Sequence, residues 1–269
     1  MEPAEVFWRD GFIVVRDLLP SSEVEAFRQD ALLDPTNRDL LCHPSLRKLL
    51  LNDRLLEVIK SLIGPKLVYF GDSSINIGDT DAGFHKDNPD KDDPEAPDWQ
   101  SKYPLVRFGI YAQNHMRKPN GLDLRQGSHE HCSTTVGKHV YADTQIGDAV
   151  IWNLRTSHSG SGMTVSGRPI DPDSVVGKVL RRLPVLRDKP AVKRVAFFGT
   201  FGAPGAHLDR YVEYLRTRQY KVDGWKRSHY EESAIAEAND KGITVRNMRL
   251  ELEARPPQNV SVQHFPLPY

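Results

Sequence analysis

Apolar residues alternate with polar or small residues in several short segments of the chain, and a period of two is typical of β-strands with one buried face. The segments predicted as strands are residues 12–15, 67–70, 73–77, 105–113, 136–142, 149–152, 163–165 and 195–201. Turn residues separate these segments, and they do not alternate regularly with helical segments. The pattern therefore predicts an antiparallel barrel or sandwich.

Helical spacing of apolar residues predicts helices at residues 3–10, from residue 21 onward, between residues 46 and 62, at 207–219 and at 231–239. Ser21 or Ser22 is the predicted N-cap of the second helix, with Glu23 near the positive end of its dipole. The helices before residue 67 are expected to cover one face of the sheet.

Charge and composition exclude some classes of partner. The 269 residues carry 36 basic and 36 acidic side chains, so no overall field favours nucleic acid or an anionic membrane. No apolar run is long enough to span a membrane, and the acidic start of the chain is unlike a secretory signal. Cys42 and Cys132 are too few for a disulfide framework. We expect a cytoplasmic protein, and the oligomeric state stays open.

The segment Gly83–Asn88 contains the first candidate for chemistry, because His85 and Asp87 lie two residues apart. On a β-strand such residues point to the same face, so an imidazole and a carboxylate can reach one metal ion. Two histidines and one carboxylate on one face of an octahedron are the ligands of non-haem Fe(II) oxygenases. His158 is the best candidate for the third ligand. A solvated strand end with a local hydrogen bond is the alternative for the His-x-Asp pair alone.

The order of motifs along the chain resembles the phytanoyl-CoA dioxygenase-like (PhyH) family of Fe(II)/2-oxoglutarate-dependent dioxygenases. The matching motifs, in order, are His85-Lys86-Asp87, Asn120-Gly121-Leu122, Gly127-Ser128-His129, Gly147-Asp148 before a strand, His158 with small residues after it, and Arg194 at the head of the last strand. The resemblance covers roughly residues 5–202. Gln126 stands where the family usually has proline, and residues 168–193 lengthen the link before Arg194.

This resemblance implies a mainly β fold with flanking helices and a double-stranded β-helix (jelly-roll or cupin-like) core. The length of the chain is compatible with one domain, in which the resemblance covers a core at about 5–202 and the helical pattern at about 203–269 predicts a C-terminal extension outside the resemblance. The extension covers the barrel mouth or forms a subunit contact. The implied catalytic residues and metal ligands are His85, Asp87 and His158. The implied cofactors are Fe(II), 2-oxoglutarate and O2, with hydroxylation or another oxidation of a small polar metabolite and conversion of 2-oxoglutarate to succinate. Because related halogenases lack the carboxylate ligand, Asp87 favours oxygen insertion.

The far carboxylate of 2-oxoglutarate requires a cation, and Arg194 is the natural choice because guanidinium binds a carboxylate through two hydrogen bonds. Arg168 is the competitor, but the residues after it do not read as a strand. Tyr111 and Gln113 share one face of the 105–113 strand and are candidate co-substrate ligands, although an exposed sheet face is equally compatible with them. Ser159, beside the distal histidine, is a further candidate.

Other residue sets allow other functions. Ser128, His129, His131 and Asp148 have the residue types of a hydrolase, but no helix follows Gly-Ser-His as a nucleophile elbow requires. His129 and His131 could bind a metal, or could lie in a polar rim loop. A catalytically silent, ligand-binding barrel and a cupin-like hydrolase or isomerase also remain compatible with the pattern.

Cations are spread over the segments expected to surround the metal, namely Lys86, Lys91, Lys102, Arg107, Arg125 and Arg155. They favour a small polar substrate, an anionic one included, although a solvated rim is the simpler interpretation. The acidic, proline-containing segment 88–99 is predicted to be a loop at the rim of the site. It is either a substrate lid or a linker.

Overall fold

The computed structural model of the chain describes residues 2–34, 39–78, 83–160 and 162–262. Its strands are β1 (Phe12–Val15), β2 (Leu67–Tyr69), β3 (Ser73–Ile77), β4 (Leu105–Tyr111), β5 (Asp123–Gln126), β6 (Lys138–Tyr141), β7 (Ala149–Asn153), β8 (His158–Ser159), β9 (Met163–Val165), β10 (Arg168–Ile170), β11 (Val195–Gly202) and β12 (Ile243–Val245). Its α-helices are α1 (Pro3–Asp10), α2 (Ser21–Leu33), α3 (Arg47–Leu50), α4 (Asp53–Ile63), α5 (Val175–Arg182), α6 (Ala206–Arg216), α7 (Gln219–Arg227), α8 (Glu232–Asp240) and α9 (Met248–Ala254).

Two facing sheets form the core of the molecule. The larger sheet has the strand order β1-β7-β4-β11-β2-β12, and β3 also pairs with β11. The smaller sheet has the order β6-β5-β8, and β9 and β10 form a separate hairpin. The pairs are antiparallel except for β12 with β2. The sheets do not close into a continuous barrel, so the architecture is an open jelly roll with helices on its outside.

The two faces of the larger sheet carry different side chains because successive residues of a strand point to opposite sides. Phe108, Ile110 and Phe197 belong to the core shared with α1 to α4. Tyr111, Trp152 and Phe198 lie on the other face and pack in the cluster that contains Leu122 and Leu124 around β5. The inner face thus provides an aromatic wall to the space between the sheets.

A glycine on this inner face leaves room for the aromatic wall. A β-carbon on Gly109 would lie 2.9 Å from the ring of Phe198 and 3.2 Å from the ring of Trp152. We expect Gly109→Ala to lower the free energy of unfolding by about 1–3 kcal/mol, because both rings must move. Gly224→Ala is the control, since no atom lies within 4 Å of a β-carbon there and α7 gains about 0.5–1 kcal/mol. Chemical denaturation of both variants tests this packing, and a stable Gly109→Ala protein contradicts it.

The C-terminal third belongs to the same core and is not purely helical. Strand β12 pairs in parallel with β2 along the register Ile243 to Leu67 and Val245 to Tyr69. Helices α6, α7 and α9 bury Leu208, Trp225 and Leu252 in a cluster that also contains residues of β2 and β4. Among the helices of the described ranges, none combines the length and the apolar character needed to cross a membrane.

Sequence patterns missed parts of the segment between His158 and Arg194. Arg168 and Pro169 lie on the short strand β10, so the prediction that this stretch is not a strand was wrong. Proline is tolerated there because β10 lies at the edge of a two-stranded hairpin. Helix α5 follows, and it exposes Val175, Val176 and Val179 to solvent.

Candidate metal centre

The backbone holds the two histidines of the candidate site against each other. His85 and His158 form an antiparallel bridge in which each amide donates to the other's carbonyl, at 3.1 Å and 3.0 Å. The amide of Asp87 donates to the carbonyl of Leu154 at 2.9 Å. The sequence argument placed His85 and Asp87 on a β-strand, but the structure has no regular strand at these residues. They occupy an irregular segment that hydrogen bonds fix beside β8.

Each imidazole is oriented by a backbone carbonyl. Nδ1 of His85 lies 2.9 Å from the carbonyl oxygen of Gly83, and Nδ1 of His158 lies 3.0 Å from that of Thr156. A carbonyl can only accept, so both rings carry their proton on Nδ1 and keep a lone pair on Nε2. These two carbonyls could not be predicted from the sequence, because a backbone group leaves no residue-type signal.

Asp87 completes a cluster of three potential ligands. Its Oδ1 lies 3.8 Å from Nε2 of His85, and its Oδ2 lies 3.6 Å from Nε2 of His158. One ligand atom from each residue lies within 4.8 Å of the others, and the described residues contain no second group of this kind. The structure thus brings together the three residues predicted from the sequence. Two neutral imidazole nitrogens and a carboxylate fit a divalent transition metal.

The protonation state of the cluster suits metal binding. Burial, reinforced by the neighbouring His85, lowers the pKa of His158 to about 4, against the opposing effect of Asp87. Burial alone raises the pKa of Asp87, but Arg107 and the two imidazoles outweigh it and hold this pKa below its ordinary value. At neutral pH the site therefore presents a neutral imidazole at His158 and an ionised carboxylate.

Arg107 connects the carboxylate of Asp87 with that of Asp72. Its Nη1 donates to Oδ2 of Asp87 at 2.9 Å, and its Nη2 donates to Oδ2 of Asp72 at 2.8 Å. Side chains alternate along β4, so Arg107 lies on the same face as Gly109 and Tyr111. This face is turned toward the space between the two sheets. Arg107 is one of the cations that favoured an anionic substrate from the sequence, but its two terminal nitrogens bind these two carboxylates instead.

Asp72 makes the stability of this region depend on pH. Burial would raise the pKa of Asp72, yet Arg107 and Lys221 lower it well below its ordinary value. A carboxyl group with a lowered pKa in the folded state contributes stability above its unfolded pKa of about 4, and this contribution is lost as pH falls. In the absence of metal, the wild-type protein should have a higher free energy of unfolding than Asp72→Asn at neutral pH. Below pH about 4 this difference should shrink, by up to about 1.4 kcal/mol per pH unit. Urea titrations between pH 3 and about 7 measure this slope, and parallel curves for the two proteins contradict it.

Arg194 is buried at the far end of the inner face. Its Nε donates to the carbonyl of Asn120 at 3.2 Å, and its guanidinium carbon lies 5.3 Å from the ring of Tyr111 and 5.8 Å from that of Phe198. Its Nη1 is buried and has no hydrogen-bond partner in the described part of the chain. Arg168, the competing arginine, is exposed on β10. Only Arg194 of the two is a buried cation with an unused donor.

The other predicted co-substrate ligands have different surroundings. Burial raises the pKa of the Tyr111 hydroxyl, which Arg194 partly offsets, so this group is protonated. Gln113 lies beyond the end of β4, where its Oε1 accepts from the amide of Val195 at 2.8 Å and its Nε2 lies 2.6 Å from Nε2 of His115. Ser159 is buried on β8 beside His158. The co-substrate roles of Tyr111, Gln113 and Ser159 stay predictions, and Ser161 of the same motif lies outside the described residues.

Most of the remaining cations near the site have partners within the protein. Lys86 donates to the carbonyls of Ser128 and Arg155, each at 2.7 Å. Arg125 forms ion pairs with Asp171 and Asp173. These cations hold loops together, so they add little support for an anionic substrate.

The acidic segment 88–99 is a packed loop rather than a solvated linker. Asp98 is buried and accepts a hydrogen bond from the side chain of Asn88 at 3.1 Å. Arg210 of α6 binds Asp90 through both carboxylate oxygens, at 2.7 and 3.0 Å. The C-terminal third therefore fixes the loop that follows the candidate ligands.

The residues of the rival hydrolase hypothesis do not form a catalytic arrangement. The hydroxyl of Ser128 donates to the carbonyl of Arg125, and Nε2 of His129 lies 3.0 Å from the carbonyl of Trp8. Asp148 binds Arg16 at 2.6 Å and accepts from the amide of Asp17. The side chains of Ser128, His129 and Asp148 thus each serve a structural contact.

Comparison with known proteins bears on the fold. No family model matches the chain, and neither does any curated protein. Among solved structures, the non-haem monooxygenase ThoJ, in a nickel complex, is 14% identical, with a TM-score of 0.55 over 89% of this chain and 98% of its own. HygX from Streptomyces hygroscopicus, with nickel and 2-oxoglutarate bound, is 16% identical, with a TM-score of 0.53 over 74% and 84%. The chain has the jelly-roll fold of these non-haem enzymes.

A third neighbour extends this comparison. SnoN, an α-ketoglutarate-dependent epimerase from nogalamycin biosynthesis, is 12% identical, with a TM-score of 0.53 over 74% of this chain and 81% of its own. The predicted double-stranded β-helix class is therefore confirmed. At these identities the similarity concerns the fold, and the activity must be argued from the site.

Proposed function

We propose that this protein is an Fe(II)- and 2-oxoglutarate-dependent oxygenase of the phytanoyl-CoA dioxygenase-like type. It hydroxylates or otherwise oxidises a small polar metabolite, while 2-oxoglutarate is decarboxylated to succinate. The main support is the cluster of His85, Asp87 and His158, in which both Nε2 lone pairs and a carboxylate oxygen face one another. HygX and SnoN, which share the fold, bind or depend on 2-oxoglutarate.

The three side chains would hold the iron on one face and leave three positions for other ligands. When bound, the metal supplies the redox chemistry with O2, and 2-oxoglutarate supplies two of the electrons. The role of the protein is to present two imidazole Nε2 atoms and one carboxylate in fixed orientations. The carbonyls of Gly83 and Thr156 maintain the tautomer in which Nε2 of each histidine is free to bind.

Arg194 is the proposed partner of the far carboxylate of 2-oxoglutarate. A buried guanidinium is costly unless an anion is paired with it, and Arg194 has an unused Nη1 donor. The rings of Tyr111 and Phe198 beside it exclude water and strengthen the attraction between the two charges. We propose Tyr111, Gln113 and Ser159 as further contacts of the co-substrate.

The carboxylate ligand favours oxygen transfer over halogenation. A halide needs a position on the metal that Asp87 occupies in this proposal, and Asp87 is held there by Arg107 at 2.9 Å. The substrate is proposed to be a small polar molecule without a required negative charge, since the nearby cations Lys86 and Arg125 are bound within the protein.

The proposal is tested by adding Fe(II) to the purified metal-free protein with 2-oxoglutarate and O2. Slow, iron-dependent formation of succinate is expected even without the primary substrate, and a chelator should stop it. Under anaerobic conditions, addition of 2-oxoglutarate to the Fe(II) protein should produce a visible charge-transfer band. Metal binding without either signal would favour a cupin-like hydrolase, an isomerase or a silent barrel.

A further inference from the structure

Four charged side chains of alternating sign connect the candidate metal centre with the C-terminal third. Asp87 pairs with Arg107, Arg107 pairs with Asp72, and Asp72 pairs with Lys221 of α7. Asp72 has no exposed surface, and no more than a fifth of the side chain of the other three is exposed. Buried charges in such a row depend on one another, because each loses water and is compensated mainly by its neighbours.

The guanidinium in the middle of this row has no rotational freedom left. Besides Asp87 and Asp72, it donates from Nε to the hydroxyl of Thr200 at 3.1 Å. The hydroxyl of Thr200 in turn donates to Oδ2 of Asp72 at 2.7 Å. Each of the three guanidinium nitrogens therefore has an acceptor, and turning the plane would break several bonds at once.

Asp72 also binds two side chains of the C-terminal third, in addition to Arg107 and Thr200. The hydroxyl of Tyr211, on α6, donates to Oδ2 of Asp72 at 3.2 Å, and Lys221 forms an ion pair with Oδ1. Burial works against the charge of Arg107, but Asp72 and Asp87 raise its pKa well above the ordinary value. The row is thus anchored at its far end by α6 and α7.

We propose that Arg107 and Asp72 are positioning residues for the metal ligand Asp87, and that the C-terminal third acts on the metal centre through Tyr211 and Lys221. Arg107 occupies Oδ2 of Asp87 and leaves Oδ1 to bind the metal. A carboxylate that is free to turn can bind through both oxygens and take up a position that the co-substrate or O2 needs. The inference rests on the metal centre of the proposed function, and it assigns a role to helices that lie outside the sequence resemblance.

Arg107→Lys tests the geometry of this contact, because lysine keeps the charge but lacks the planar fork whose separate nitrogens bind Asp87 and Asp72. We expect Co(II) affinity to fall about 10–100-fold, the range seen when the partner of a metal ligand is lost. The visible spectrum of the Co(II) protein should also change, since the carboxylate can change its binding mode. Arg47→Lys is the matched control, because it weakens the ion pair of another buried arginine, with Glu231, which is not part of this row, and it should leave both signals at wild-type values.

Lys221→Met tests the link to the C-terminal third through the sign of its effect. If charge alone matters, removal of the lysine cation reduces electrostatic repulsion and strengthens the binding of a divalent metal ion. Loss of positioning weakens it instead, and we expect a decrease of about 3–10-fold, below the roughly 10–100-fold range for direct partners of metal ligands, because Lys221 acts through Asp72 and Arg107. Lys226→Met removes an exposed lysine of the same helix and should have no effect. Unchanged or tighter Co(II) binding by Lys221→Met overturns the role of the C-terminal third.

Stability and function are read separately in this design. Thermal unfolding shows which variants fold. If Arg107→Lys does not fold, Asp72→Asn and Thr200→Val each remove one partner of the Arg107 guanidinium. Both variants are expected to bind Co(II) more weakly than wild type. Wild-type affinity and spectrum in folded Arg107→Lys or in these two variants overturn the inference. A wild-type protein that binds Co(II) but, with Fe(II), forms no succinate contradicts the proposed function and leaves the positioning role standing. A wild-type protein that binds no Co(II) overturns both.

Discussion

His158→Ala is expected to abolish iron-dependent succinate formation and to lower the affinity for Fe(II) or Co(II) at least about 100-fold, beyond the effects of outer contacts. The imidazole is one of three ligands, and the backbone bridge that carries it keeps His85 in place without it. The loss should therefore come from the missing nitrogen rather than from a rearranged site. Isothermal titration with Co(II) and a succinate assay measure the two effects.

His131→Ala is the matched control for this variant. His131 is exposed, and together with His129 it formed the rival metal-binding pair of the sequence analysis. The control should keep wild-type metal affinity and turnover. If His131→Ala loses metal while His158→Ala retains it, the ligand assignment is wrong.

Arg194→Ala should lose 2-oxoglutarate while it keeps the metal. Removing one partner of a buried, hydrogen-bonded charge pair costs about 2–5 kcal/mol, so we expect a dissociation constant for 2-oxoglutarate about 100-fold higher. Co(II) affinity should stay within about twofold of wild type, because the contacts of Arg194 in the described part of the chain are with Asn120, Tyr111 and Phe198 rather than with the three ligands. Anaerobic titration of the Fe(II) protein with 2-oxoglutarate gives the constant directly.

Arg168→Ala distinguishes the two candidate arginines. Arg168 is exposed on a surface hairpin, so its loss should leave co-substrate binding unchanged. Normal 2-oxoglutarate binding in Arg194→Ala, together with weak binding in Arg168→Ala, would reverse the assignment. Loss of metal in Arg194→Ala would instead indicate a wider structural role for this buried side chain.

Local patterns predicted much of the sheet because each of its central strands buries one or both faces. Strands β4, β7 and β11 have long apolar runs, and all three were predicted, although β4 ends at Tyr111 rather than at Gln113. Strands β8 and β12 contain two and three residues, which is too short for any period to be visible. Their positions depend on partners far along the chain.

Two predictions about helices failed, one at the start of α2 and one at α5. The predicted N-cap of α2 was wrong, because Pro20 occupies the cap position and the helix has no side-chain cap hydrogen bond. Helix α5 was not predicted, since it buries only Gly177 and Leu180 while its three valines are exposed, so its apolar residues do not mark the buried side.

For the candidate site, residue types identified His85, Asp87 and His158, and the fold brings them together. The sequence could not show what orients them. The carbonyls of Gly83 and Thr156 carry no residue-type signal. Asp72 and Lys221 lie far apart along the chain and meet only because α7 packs against the loop before β3.

The parallel pairing of β12 with β2 has a consequence for how the protein is synthesised. While the chain emerges from the ribosome, the backbone groups of Leu67–Tyr69 on that side remain open until residues 243–245 have left the exit tunnel. An open strand edge is a template for pairing with other chains. A polypeptide that stops near residue 202 should therefore aggregate during expression instead of giving a smaller folded protein.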